Sequence, residues 1–472
     1  MLPTARTRAT TWLAIYSNIM LISWGVFFLA LFIFNTLQYH LFLHSISTMM
    51  CRFLIPMILG GLFLYTVRCH LQTRLVVANS LLAIIAALYS GEFYLAHRLD
   101  VMQQRASQAV NQPFDKRDKL AVIRDLRTSH INAYPVMRAE NLLVADGQGT
   151  LRPLTSVNGK PLLPLASIPG AVVVSCNESG QWQIYQTDRH GFNNPDEQWD
   201  LQAEIGMVGD SFAHGSCVPR EQNMATLLNT QFGSVLNLGV GGFGPLLELA
   251  ALTEYIQPLQ PPVVLWMFFE GNDLNEDLPR EIKSPLLLDY LRNENFRQDL
   301  IHRAGDVKLA LGGYMDQRLT EAMSLVDGPY ENFVRYLTLD RLREAVGVGP
   351  LQIGYNFGDM GSEFTLFSEI LEKADQRVRK WGGRLYLVYL PESDRYLSRF
   401  GNSVVRQNIY QGVMNIAMDK HIPFIDVAAA FAHDPDPATL FAYPGAHFSP
   451  RGYSLAASTI TRTLAPIIGK SR

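Results

Sequence analysis

Cysteine is scarce, with four residues in a chain of 472, and a disulfide scaffold is thereby excluded. Cys51 and Cys69 flank an apolar run and read as inert thiols. Cys176 and Cys217 lie in a polar part, where one disulfide could form, but free thiols are the expectation; none of the four has metal-ligand spacing. Net charge is also nearly lacking. Forty Lys and Arg against 43 Asp and Glu leave −3, so a global basic surface for nucleic acid is excluded. Charged residues are only 18% and hydrophobic ones 48%, which excludes a largely disordered chain. There is no Walker motif, no dinucleotide fingerprint and no metal cluster, so no cofactor and no metal are expected. Internal repeats and low-complexity tracts are absent too.

Lysine is missing from residues 1–98. Six arginines there (Arg6, Arg8, Arg52, Arg68, Arg74, Arg98) face one acid, Glu92, giving +5 and leaving −8 for the remainder. No formal charge occurs between Arg8 and Arg52. Within that gap Trp12–Leu37 is long enough to cross a bilayer core of about 30 Å. It is too long for a signal-peptide core and no small-residue cleavage site follows it. A second apolar run, about 50–67, is interrupted by Pro56 and needs Arg52 to snorkel; a third covers about 75–95. Three spans are expected, the alternative being two spans plus an interfacial or re-entrant piece. The arginine bias then puts the amino terminus in the cytoplasm and the large domain outside it, in the periplasm if the cell has one.

Residues 99–130 read as a helical stalk. Residues 131–203, rich in Pro and Gly, read as a small β-rich lead-in, with Ala171–Cys176 and Gln181–Gln186 joined by a hairpin turn at Asn177-Glu178-Ser179-Gly180. From 204 to 472 short apolar runs (Ile205–Val208, Val235–Leu238, Val263–Phe269, Leu385–Leu390, Pro423–Val427) alternate with helical segments. That alternation predicts an α/β domain with a parallel sheet covered on both faces. One interruption, about 275–360, looks helical and reads as an inserted cap over the sheet edge.

Chemistry-bearing residues gather at strand ends. The first strand closes in Val208-Gly209-Asp210-Ser211, which projects a serine into the crevice where open α/β sheets bind ligands. The second is followed by Gly239-Val240-Gly241-Gly242-Phe243-Gly244, which can expose a backbone amide or simply turn the chain. The third closes in Glu270-Gly271-Asn272-Asp273, whose Asn272 can supply amide donors or cap the next helix. Near the chain end His447 lies in Pro444-Gly445-Ala446-His447-Phe448-Ser449-Pro450. Taken in order, the four pieces resemble the sequence blocks of the SGNH (GDSL-type) hydrolase superfamily, over about 204–468. The membrane anchor followed by Asp188-Arg189-His190-Gly191-Phe192-Asn193-Asn194-Pro195 is similar to anchored bacterial members.

The resemblance implies a three-layer, flavodoxin-like parallel-sheet hydrolase domain. It implies Ser211 as nucleophile, His447 as its base, and Ser211, Gly242 and Asn272 as oxyanion donors. Asp210 and Asp273 are expected to hold the loops by hydrogen bonds. One departure stands out. The family places an Asp shortly before the histidine, where this chain has Tyr443-Pro444-Gly445-Ala446. The expectation is a Ser–His dyad with a main-chain carbonyl near Pro444 on the imidazole Nδ1–H; Asp426, Asp434 or Asp436 could substitute, or the domain could be catalytically weak. The implied function is an anchored extracytoplasmic esterase or O-acyltransferase on ester groups of envelope or exported carbohydrate. The alternative is a non-catalytic envelope assembly or glycan-binding protein that keeps the fold. A transporter is disfavoured because almost no ionisable residue lies within the spans.

Overall fold

The computed structural model describes residues 5–37, 53–109, 113–138, 141–325, 339–345, 360–397 and 402–468. The chain divides into two compact units, Met1–Leu99 with Asp327–Tyr355, and Asp100–Val326 with Asn356–Arg472.

In the first unit, two helices among the described residues are long and apolar enough to cross a membrane, Thr10–Ile33 and Leu71–Gln108. Ile55–Thr66 is a shorter apolar helix, and residues 50–52 of the expected second span lie outside the described residues. Helix Ala5–Leu37 approaches Ile55–Thr66 closely at two glycines. A Cβ on Gly60 would come within 2.9 Å of Leu29 and 3.2 Å of the Gly25 carbonyl, the small-residue contact that lets helices pack in an apolar solvent. Arg74 donates to Asn18 (2.6 Å), so a charge near the end of an apolar helix is satisfied internally. Glu92, buried, accepts from the backbone N–H groups of Arg341 (3.1 Å) and Leu342 (2.7 Å) at the start of helix Asp340–Ala345. Part of the segment expected to cap the sheet edge therefore belongs to the first unit. Two orphan amides of a helix N-terminus draw it to the one acid in the arginine-only region.

In the second unit, which starts at Asp100 within helix Leu71–Ala109, helix Lys119–Thr128 comes next, N-capped by Asp118 (2.7 Å to the Ala121 N–H). Its buried Val122 and Ile123 join the core of the following region, so this part of the expected stalk is packed. Seven short strands follow: β1 Ala133–Pro135, β2 Leu143–Ala145, β3 Leu151–Pro153, β4 Thr155–Val157, β5 Lys160–Leu162, β6 Val172–Val174 and β7 Ile184–Gln186. They form a three-stranded sheet, β1-β6-β7, and two hairpins, β2-β3 and β4-β5. β6 and β7 are antiparallel, so the Asn177–Gly180 stretch links paired strands.

Five strands then build the main sheet: β8 Ile205–Gly209, β9 Val235–Asn237, β10 Val263–Phe269, β11 Arg384–Leu390 and β12 Phe424–Asp426. All pairings are parallel, in the order β12-β11-β10-β8-β9. Every residue of β10 is buried, and its side chains alternate between two cores. Val263, Leu265, Met267 and Phe269 meet Leu228, Tyr453 and Ile460 on one face; Val264, Trp266 and Phe268 meet Leu246, Phe367 and Val413 on the other. The period of two explains the apolar run without polar alternation. Helix Met224–Phe232 is set in its start by Asn223, which caps it by accepting from the Thr226 N–H at 2.8 Å. The order in which strands are added reverses about β8, flanked by β9 and β10, which makes the carboxyl ends of these strands a topological switch point.

Candidate active site

Ser211 leaves β8 as the first residue of the short helix Ser211–His214. Asp210 caps that helix, its Oδ1 accepting from the Phe212 N–H at 2.8 Å, which fixes the turn and leaves the serine half-buried at the crevice. Phe212 stacks on Phe269 at the end of β10, ring centroids 3.9 Å apart, and tilts against the His447 ring at 4.9 Å. Those rings give the imidazole one apolar wall.

His447 arrives from a different part of the chain. Its loop is pinned by the Phe441–Phe448 bridge, by Ala442 N–H to the His447 carbonyl (3.0 Å), and by Gly445 N–H to Ser393 Oγ (2.7 Å). Tyr453 on the helix that follows donates to the Ser216 carbonyl at 3.1 Å, tying this helix to the serine segment. Nε2 of His447 lies 2.9 Å from Ser211 Oγ. Nδ1 lies 2.8 Å from Glu178 Oε1, and the other carboxylate oxygen accepts from the His447 N–H at 2.9 Å. An ionised carboxylate can only accept, so Nδ1 carries the hydrogen and Nε2 presents its lone pair to the serine hydroxyl.

Glu178 corrects the expected Nδ1 partner. The main-chain carbonyl near Pro444 is not that partner, and Nδ1 faces Glu178 rather than any of the three Asp candidates. Asp426 caps helix Val427–Ala432 and accepts from Tyr410, and Asp434 pairs with Arg451 at 2.7 Å and accepts from the Asp436 N–H. Sequence reasoning places Glu178 only as one residue of a hairpin turn. Its spacing, 269 residues from His447, carries no local signal of a relay. The only available hint is an acid in a turn beside Cys176.

Cys176 and Cys217 form a disulfide, correcting the expectation of free thiols. Their Cα atoms are 5.2 Å apart because the β6–β7 turn docks on the loop after Ser211, a proximity that sequence spacing does not encode. Cys217 Sγ also lies 3.4 Å from His447 Nδ1. The donor atoms of Glu178, Cys217 and His447 sit within 4.8 Å of one another, but the disulfide withholds the sulfur as a thiolate ligand.

The glycine segment closes against the serine helix. A Cβ on Gly239 would fall 2.3 Å from the His214 nitrogen and 2.6 Å from the Ala213 carbonyl carbon, so only glycine permits this approach. A Cβ on Gly241 would sit 3.8 Å from Ser211 Cβ and 3.5 Å from Arg138 Cγ. Gly242 adopts φ +76° and its carbonyl accepts from Arg280 at 2.5 Å, with Arg280 paired to Asp277 at 2.8 Å. Asn272, just beyond β10, makes no side-chain cap to the turn it starts, and its Oδ1 is buried with no hydrogen-bond partner among the described residues. The capping alternative for Asn272 therefore lacks its bond. Asp273 Oδ2 accepts from the Phe269 N–H at 2.8 Å, a loop-holding contact like that of Asp210.

The Asp188–Pro195 stretch supports this floor. Asp188, buried, accepts from the N–H groups of His190 and Phe192 (both 2.9 Å), Asn194 Nδ2 (2.9 Å) and Trp199 Nε1 (2.8 Å). Asn194 in turn exchanges bonds of 2.9 Å with the Asn237 backbone, and Asn237 Nδ2 donates to the Ala213 carbonyl at 2.9 Å.

Burial alone would push the His447 imidazole down. The Glu178 charge and its hydrogen bond, helped by Asp210, outweigh both that and the repulsion from Arg138, so its pKa lies above the ordinary value of 6.5. Burial raises Asp210, partly offset by the Phe212 N–H. His214 differs from His447 in every respect. It is buried, bound to Tyr185 (2.7 Å) and Ser216 (3.2 Å), and burial pushes it down to about 4, which suits a neutral structural imidazole.

No family model matches the chain, and neither does any curated protein. Solved structures do. A lipolytic protein of the G-D-S-L family from Desulfitobacterium hafniense is 14% identical, covering 55% of this chain and 98% of its own, TM-score 0.32. A lipase/acylhydrolase from Enterococcus faecalis is 15% identical, covering 57% and 96%, TM-score 0.32. A member of the lipolytic G-D-S-L family from Veillonella parvula is 13% identical, covering 56% and 100%, TM-score 0.30. The first and third of these are described as G-D-S-L family proteins, and a further similar structure, from Slackia heliotrinireducens, is described as an SGNH hydrolase.

Proposed function

We propose that the chain is a membrane-anchored, extracytoplasmic serine esterase or O-acyltransferase of the SGNH type, with Ser211 as nucleophile, His447 as general base and Glu178 as the acid that orients it. The observation that carries this reading is the relay from Ser211 Oγ through His447 to Glu178, at 2.9 and 2.8 Å. A free serine hydroxyl is a weak nucleophile and needs such a base within hydrogen-bond reach.

As Ser211 Oγ attacks an ester carbonyl, its proton passes to His447 Nε2, and Glu178 stabilises the imidazolium without taking a proton itself. The Ser211 and Gly242 amides and the Asn272 side chain meet the developing oxyanion. His447 then protonates the departing alcohol, leaving an acyl-serine. Water resolves it in an esterase, a sugar hydroxyl in an acyltransferase, with His447 again removing the proton. The strand order supports a flavodoxin-like, three-layer hydrolase domain with its site at the switch point. A disulfide beside the site supports an oxidising compartment, consistent with the arginine bias around the apolar helices. The envelope or exported carbohydrate ester follows from that location. The non-catalytic alternative drew its support from a missing acid, the role Glu178 takes in this reading.

An alkyl fluorophosphonate is expected to label the wild-type chain, and Ser211→Ala to abolish labelling. Persistent labelling of that variant removes Ser211 from its role.

A further inference from the structure

We infer that the Cys176–Cys217 disulfide is a positioning element of the catalytic relay, holding Glu178 behind His447 so that its reduction disengages the acid. This rests on the esterase or acyltransferase reading above.

Three features of the site converge on it. Cys176 ends the segment after β6 two residues before Glu178, and Cys217 lies six residues beyond Ser211. The disulfide is therefore the covalent link between the turn that carries the acid and the segment that carries the nucleophile. The other ties of that turn lead elsewhere. Asn177 Nδ2 donates to the Asp115 carbonyl at 2.8 Å, and Asp115 N–H to the Gly180 carbonyl at 2.7 Å. Both anchor the turn to the chain ahead of helix Lys119–Thr128 and not to the serine segment. Without the disulfide, β7 still meets the serine helix through Tyr185 and His214 at 2.7 Å, but the acid-bearing turn itself is held to the site by the two hydrogen bonds of Glu178 to His447.

The second feature is the sulfur's position. Cys217 has φ +67°, a conformation rare for a residue with a side chain, and its Sγ sits 3.4 Å from His447 Nδ1. In the disulfide this sulfur has no proton and no negative charge. The S–S bond thus lies against the imidazole nitrogen that Glu178 holds, and breaking it releases the turn at the point where the acid engages.

Access is the third. Cys217 lines a cavity of about 220 Å³ shared with Ser175, Tyr185, His214 and Arg220, giving a small dithiol a route to the bond. The step balances as thiol–disulfide exchange: the dithiol gives two electrons and two protons, the S–S bond breaks to two thiols, and the dithiol closes to a cyclic disulfide.

The test uses the full-length chain in detergent. Turnover of a generic acetyl ester is measured against pH for wild type, Glu178→Gln and Cys176→Ser/Cys217→Ser, each with and without dithiothreitol. Reduction of the wild type is expected to lower kcat on the order of 10²-fold, less than the roughly 10⁴-fold seen when a triad acid is removed outright, because the released carboxylate still visits the imidazole. It is also expected to move the acidic limb of the profile to lower pH, because the imidazole loses the charge that raises it. The double variant is expected to match reduced wild type, and reoxidation to restore it. In Glu178→Gln, reduction is expected to change neither kcat nor the limb, since the same interaction cannot be lost twice. Unchanged turnover of reduced wild type overturns the inference. So does an equal loss on reducing Glu178→Gln, which marks the disulfide as a general brace; this comparison holds even if the double variant does not fold. Oxidised wild type with no Ser211-dependent turnover overturns instead the reading of the site as an esterase.

Discussion

Replacing Glu178 with glutamine keeps the shape of the side chain and removes its charge, which isolates what the carboxylate does for His447. The amide nitrogen of the introduced glutamine can donate to Nδ1, which drives the imidazole hydrogen onto Nε2, the nitrogen that must accept from Ser211. The charge term can be sized. The two side chains are only 23% and 17% exposed, so an effective dielectric of about 20 applies; at a charge separation of about 4 Å the attraction between imidazolium and carboxylate is about 4 kcal/mol. That corresponds to about three decades in rate if the charge pair exists only in the transition state. We expect kcat on an acetyl ester to fall about 10³-fold with KM little changed. The pH profile supplies an independent check. The active form of His447 is the neutral imidazole, and in the wild type its pKa lies above 6.5 because of Glu178. Activity is therefore lost as pH falls through that raised value. Without the charge, burial and Arg138 prevail, the pKa drops, and the acidic limb moves to lower pH. A Glu178→Gln variant that keeps more than about a tenth of wild-type kcat, with the limb in place, refutes the assignment of Glu178.

Asn272→Ala is expected to lower kcat about 10²–10³-fold, the size of one lost oxyanion donor, while fluorophosphonate labelling slows but still requires Ser211; an unchanged kcat sends Asn272 back to a purely structural place. Asp188→Ala is expected to destabilise the second unit by at least about 3 kcal/mol, since it orphans four donors, three of them on buried residues. Denaturant melts of the detergent-solubilised chain measure that loss, and an unshifted midpoint contradicts the network described for this stretch.

The residues that touch the reacting ester in our reading were legible in the sequence, and most of their partners were not. Ser211, Gly242, Asn272 and His447 each lie in a short stretch whose turn residues and preceding or following apolar run place it at an element boundary. The strands themselves show as unbroken apolar runs because both faces of the sheet are buried, as β10 illustrates. Helix starts were less legible, since Asn223 caps at a position that hydrophobic spacing ignores. The segment about 275–360 read as one helical insertion, yet Asp327–Tyr355 groups with the long apolar helices through contacts such as Glu92 to Arg341 and Leu342, which no periodicity reports.

By itself the sequence determined the apolar, arginine-flanked helices, the alternation that builds a covered parallel sheet, and the loops in which serine, asparagine and histidine sit. These are local properties, set by how side-chain polarity repeats along three to twenty residues. Only the tertiary structure decided that Glu178 faces the imidazole and that Cys176 meets Cys217. The first brings together residues 269 apart in sequence and the second residues 41 apart, and the free energy of that docking is spread over surfaces that no short stretch of residues contains.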